Sequence, residues 1–125
     1  MPLSASPAPR LSVLLPVHNG GSFLDKALTS ISAQSLRDIE IVIVDDHSTD
    51  STPALLRRHA ATDERIRVFS AKGAGIVDAL NQARAAARSD IVARMDADDV
   101  AEPDRLALQL AEFDARPDLV LLGSG

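Results

Sequence analysis

The sequence predicts an α/β protein with a Rossmann-like, mostly parallel sheet and helices on both faces. Three observations carry that expectation. Short apolar runs alternate with stretches whose apolar residues recur at helical spacing. The connections between them are short, which suits right-handed βαβ units. Polar clusters follow the apolar runs, at the strand ends where open α/β sheets bind ligands.

Leu11–Pro16 (LSVLLP) is the first strand, an apolar run closed by proline. Gly20 and Gly21 open a helix that places Phe23, Leu24, Ala27, Leu28 and Ile31 on one face. Ile39–Val44 (IEIVIV) is β-branched and suits a central strand covered on both sides. A polar turn follows, and Pro53 suits the first turn of a helix running to about Ala60. Ile66–Ser70 is the third strand. The next helix carries Ile76, Val77, Leu80, Ala83 and Ala87. Asp90–Met95 forms the fourth strand, and Pro103 opens a helix with Leu106, Leu110 and Phe113 on its apolar face. Leu119–Leu122 is the fifth strand.

Bulk properties exclude several classes. A length of 125 residues suits one domain, and residues 1–10, rich in Pro, Ser and Ala, read as a flexible leader rather than a secretory signal. A net charge of -5 with no basic run argues against nucleic acid. It leaves room for a phosphorylated ligand whose charge a cation offsets. The absence of cysteine removes disulfides and thiolate metal sites, and no apolar run is long enough to span a membrane. A cytoplasmic location is expected, with the intact protein open to membrane association.

Four polar segments converge on one edge of the expected sheet: Pro16–Asn19, Asp45–Asp50, Ser70–Lys72 and Asp96–Asp99. The crowding of Asp96, Asp98 and Asp99 suits Mg²⁺ or Mn²⁺, which prefer hard oxygen ligands shared with substrate phosphates. Asp99 and Glu102 equally suit the N-terminus of the helix begun at Pro103. Asp46 is placed to accept hydrogen bonds from a base or ribose, while Ser51 or Thr52 reads as a structural residue of the next helix. His18 lies at the same edge.

The order of these segments resembles the N-terminal half of the family 2 glycosyltransferases, which have a GT-A fold. The matching text is SVLLPVHNG at 12–20, IVIVDDHSTD at 41–50, GIVDALNQA at 75–83 and ARMDADD at 93–99, with PDRL at 103–106. The likeness covers residues 11–125. It implies the nucleotide-sugar-binding part of a GT-A domain, truncated at its C-terminal end. By that resemblance, Pro16 and His18 line the base, Asp46 hydrogen-bonds it, Asp96 lies near the ribose and diphosphate, and Asp98 is the metal ligand for Mn²⁺ or Mg²⁺. His18 stands where many relatives have tyrosine.

The implied reaction transfers a sugar from a nucleoside-diphosphate donor, such as a UDP-sugar, to a glycan, lipid or other hydroxyl acceptor, with inversion. Its general base is expected beyond Gly125, so the chain alone is expected to bind donor without turnover and to self-associate through its truncated face. A nucleotide-binding module without catalysis is the alternative. A receiver-type phosphoacceptor domain would want an acidic pair where Pro16–Asn19 stands, and a phosphohydrolase would want a Gly-Thr turn after its DxD.

Overall fold

The computed structural model describes residues 8–115 and 121–122. Residues 1–7 of the expected leader, Leu119 and Val120 of the expected fifth strand, and the C-terminal face expected to self-associate lie outside the described residues.

Strands and helices alternate throughout. They are β1 (Leu11–Val17), α1 (Gly21–Ser32), β2 (Ile39–Asp45), α2 (Thr52–Thr62), β3 (Ile66–Ser70), α3 (Ile76–Ala86), β4 (Val92–Arg94), α4 (Arg105–Ala115) and β5 (Leu121–Leu122). All pairings are parallel, in the order β3-β2-β1-β4-β5. The expected α/β architecture is the observed one.

The period-2 alternation of the strands sorts their side chains onto two faces. Leu11, Val13, Leu15 and Val17 meet α1, α2 and α4 on one side, whereas Leu14, Val42 and Val44 meet α3 on the other. α1 buries Leu24, Ala27, Leu28 and Ile31 completely. Each of the larger three contributes about 1.5–3 kcal/mol relative to exposure. Phe23, expected on that face, is 64% exposed, because it precedes Leu24 by one position and so points off the buried stripe. α3 departs further from expectation. Its buried residues are Ala79 and Ala83, small enough for close approach to the sheet, while Ile76 and Val77 are exposed. Ala87 lies just past the helix as its C-cap.

The last connection also differs from expectation. α4 packs on the face that carries α1, yet β5 lies on the side of β4 away from β2. The β4–α4–β5 connection therefore has the opposite hand to β1–α1–β2. A clamp at the end of α1 holds the start of α4 on this face. Fully buried Gln34 donates to the Glu102 carbonyl at 2.6 Å and accepts from Leu106 N at 3.0 Å. Ser35 N donates to the Pro103 carbonyl at 2.8 Å, and Ala101 N to Ser30 Oγ at 2.9 Å.

Glu40 interrupts the apolar run of β2 and is 1% exposed. Its carboxylate accepts from Ser12 Oγ at 2.6 Å, from Arg67 Nη1 at 2.7 Å and from the Arg88 backbone N–H. The charge is thereby compensated, and it ties the sheet to the end of α3.

Candidate functional site

Register builds the site. Leu11 to Val17 pair residue for residue with Ile39 to Asp45, so the loops after β1 and β2 begin side by side. Asp46 N then donates to the Val17 carbonyl at 2.7 Å. Met95 N donates to the Leu14 carbonyl at 2.9 Å, which brings the loop after β4 alongside.

The first two loops are laced together. Asn19 N donates to Ser48 Oγ at 2.8 Å, and Thr49 N to Asn19 Oδ1 at 2.7 Å. Gly20 N donates to Thr52 Oγ1 at 2.9 Å. Buried Thr52 is therefore the structural residue expected of the pair, while Ser51 makes no side-chain cap. Asp50 takes the capping role, accepting from Thr52 N at 2.9 Å, and hydrogen bonds led by the Thr52 hydroxyl hold its carboxyl below the usual range. Asn19 and His47 adopt left-handed backbones, with φ 49° and 59°.

Two cavities open at this edge, and they share one wall. The first, about 200 Å³, is lined by Pro16, Val17, His18, Asp46, Ile76 and Ala79. The second, about 250 Å³, is lined by His18, Asn19, Gly20, Phe23, Ala97 and Asp98. Pro16, His18, Asp46 and Asp98 thus meet on one surface. A larger cavity of about 820 Å³ lies among the C-terminal ends of α1 and α2, at the other end of the sheet. Its Arg65 is already committed to Asp63 and to the Ser32 and Arg37 carbonyls.

Asp46 spends one carboxylate oxygen on structure, accepting from Gly75 N at 3.0 Å. Gly75 has φ 89° and ψ 167°, a region that suits glycine alone. His47 Nε2 donates to the Gly73 carbonyl at 2.8 Å, and Asp78 accepts from Ala74 N at 3.2 Å. The turn before α3 is thereby fixed against Asp46.

The three acidic residues after β4 are not equivalent. Asp96 Oδ1 lies 3.2 Å from Arg94 Nη2. Asp99 Oδ2 accepts from Asp96 N at 3.3 Å, so it braces its own loop, and the helix begins only at Arg105. Burial pushes Arg105 down from its ordinary pKa, and the charges of Asp99 and Asp96 oppose that shift. Asp98 is exposed, and its carboxylate takes no hydrogen bond or ion pair among the described residues.

Among the described residues, no three His, Asp or Glu side chains form a ready-made metal cage. The donor chemistry still fits a hard divalent cation that keeps water and phosphate ligands, since such ions bind through one or two carboxylates. Arg94, Arg105 and Asn19 belong to this site and were not singled out individually from sequence, whereas Gly75 is the turn residue that the sequence suggests. Their signal is tertiary, apart from the positive-φ preference of glycine.

Comparison with known proteins gives concordant results. The model of the family "Glycosyl transferase family 2" matches residues 12–124. A chondroitin synthase of Escherichia coli is 37% identical over 113 residues, covering 90% of this chain and 16% of that protein. The O-antigen biosynthesis protein RfbC of Myxococcus xanthus is 40% identical over 117 residues, covering 91% of this chain and 9% of that protein. This chain thus spans a small part of each. Among solved structures, S. aureus TarS 1-349 in complex with UDP has a TM-score of 0.78 at 25% identity, covering 86% of this chain and 33% of that chain. Mannosyltransferase PcManGT from Pyrobaculum calidifontis, in complex with GDP-Man and Mn²⁺, has a TM-score of 0.70 at 32% identity, covering 82% of this chain and 31% of that chain.

Proposed function

Because this chain belongs to glycosyl transferase family 2, with the GT-A type of fold, we propose that it forms the donor site of a metal-dependent, inverting glycosyltransferase that uses a nucleoside-diphosphate sugar. One observation carries the reading. Two cavities at the carboxyl ends of the strands share His18, one offering the Asp46 carboxylate and the other the Asp98 carboxylate.

The first cavity suits the base. Pro16, Ile76 and Ala79 supply apolar walls, and Asp46 Oδ1, which lies 3.8 Å from His47 Nε2 and takes no hydrogen bond among the described residues, is available to a donor on the ring edge. The second suits the diphosphate side. Asp98 is the carboxylate left free there, since Arg94 engages Asp96 and Asp99 braces the loop. Asp96 lines neither cavity and is paired with Arg94 at 3.2 Å, so its proposed role toward the ribose or diphosphate requires that pair to open. Asp98 would hold a divalent cation, whose charge would offset that of the departing diphosphate.

Among the described residues none is assigned as general base or acceptor site, and the chain spans only 16% and 9% of the length of two relatives. UDP complexes of TarS and the GDP-Man complex of PcManGT support a nucleoside-diphosphate ligand, and the Mn²⁺ of the latter supports the cation.

Calorimetry of UDP and GDP on the chain, with Mn²⁺, with Mg²⁺ and with chelator, tests the reading. Tighter binding with metal that disappears in Asp98→Ala is expected. Binding that ignores both metal and Asp98 overturns the metal-bridged diphosphate.

A further inference from the structure

The two ring nitrogens of His18 are not equivalent. Nδ1 lies 2.6 Å from the Asp46 backbone oxygen, which only accepts, so Nδ1 carries a hydrogen and donates. A second chain of contacts reaches the same tautomer. Thr49 N–H donates to Asn19 Oδ1 at 2.7 Å, which turns the amide nitrogen of Asn19 toward His18. That nitrogen only donates, and it lies 3.4 Å from His18 Nε2. Nε2 is therefore the acceptor. The contact is long for a hydrogen bond, and His18 is exposed, so the lone pair stays accessible to a better donor.

Resting on the nucleotide-sugar reading above, we infer that His18 Nε2 is a fixed acceptor for a ribose hydroxyl, making His18 a determinant of ribonucleotide specificity. Position argues the class of donor. With the base beside Asp46 and the diphosphate beside Asp98, the ribose joins them covalently and passes the wall that both cavities share. A hydroxyl offers the hydrogen that Nε2 lacks. A phosphate oxygen or a ring carbonyl meets it lone pair to lone pair.

Two measurements test this. The ¹⁵N shifts of the histidine rings report the tautomer, with His18 expected as Nδ1–H. NMR titration, which reads weak affinities, compares UDP, 2′-deoxy-UDP and 3′-deoxy-UDP in the presence of diamagnetic Mg²⁺. The wild-type chain is expected to bind at least one deoxy analogue about fivefold to tenfold more weakly than UDP. His18→Phe keeps a flat ring without an acceptor, and is expected to bind that analogue and UDP equally. His18→Gln returns an amide oxygen as acceptor and is expected to restore part of the preference. It also serves as the reference variant should the phenylalanine chain fail to fold.

An Nε2–H tautomer, equal wild-type affinities, or a preference that survives in His18→Phe overturns the inference while leaving UDP binding intact. Absence of UDP binding by the wild-type chain overturns the donor-site reading, and this inference with it.

Discussion

The Asp46 carboxylate accepts the Gly75 backbone N–H at 3.0 Å, so the side chain that faces the cavity proposed for the base also fixes the turn before α3. Asp46→Ala is therefore expected to act twice. UDP affinity falls about tenfold, the size of one lost hydrogen bond to a charged group. The turn at Gly73–Gly75 loosens as well, seen as faster amide exchange there. The Mn²⁺ enhancement of binding should persist. Unchanged affinity together with unchanged exchange contradicts both roles.

Asp98→Ala is expected to remove the benefit of Mn²⁺ or Mg²⁺ for UDP binding and to leave the fold intact, because the exposed carboxylate makes no hydrogen bond or ion pair among the described residues. Without a cation, the acidic loop faces the diphosphate charge to charge. Asp99→Ala should do less to metal dependence and more to stability, since its Oδ2 braces Asp96 N at 3.3 Å. Thermal melts beside calorimetry separate the two. The reverse ranking contradicts the assignment.

Acid should unfold the chain through Glu40 and Asp63. Burial pushes the Glu40 carboxyl up, but hydrogen bonds from Arg88 N–H, Ser12 and the Arg67 and Arg88 guanidiniums outweigh it, leaving it below its ordinary 4.5. Asp63 is lowered to about 2, chiefly by its hydrogen bond with Arg65. Both groups take up protons more readily when unfolded. Their stabilisation is complete above the unfolded values and is lost as pH falls through the folded ones. Melting temperature should hold down to about pH 5 and decline toward pH 2. Glu40→Gln should cost about 2–3 kcal/mol at pH 7, flatten that decline, and leave UDP affinity alone. A variant as acid-sensitive as wild type removes Glu40 from the account.

Gln34→Leu preserves volume and abandons the Glu102 carbonyl and Leu106 N–H to a buried environment. Leaving these two groups unpaired should cost about 3 kcal/mol in urea unfolding. A loss below about 1 kcal/mol implies that water replaces the clamp.

The strands were legible because apolar runs and βαβ spacing are local signals, and Ile66–Ser70 lies where the sequence places it. Pro16, His18, Asp46 and Asp98 were legible as an edge because parallel strands send their carboxyl ends the same way. The helix faces were less so. Periodicity marks Ile76 as readily as Ala79, and only the close approach of α3 to the sheet selects the alanines. Glu40 reads as a flaw in a buried run until Arg67 and Arg88 arrive from 27 and 48 residues away. The inequality of Asp96, Asp98 and Asp99 was hidden because the turn of their loop, which brings Arg94 to Asp96 and Asp99 Oδ2 to Asp96 N, is not written in residue type.

The lacing of Asn19 to Ser48 and Thr49 has a thermodynamic consequence. Side chains that hold two adjacent loops have lost their rotational freedom during folding, before any nucleotide arrives. Binding then carries a small ordering cost, and it resembles a key entering cut metal more than a hand closing. Such a surface discriminates by misfit: a wrong base or sugar meets walls that do not yield, and the loops at Asn19 and His47 should superpose in free and UDP-bound crystals.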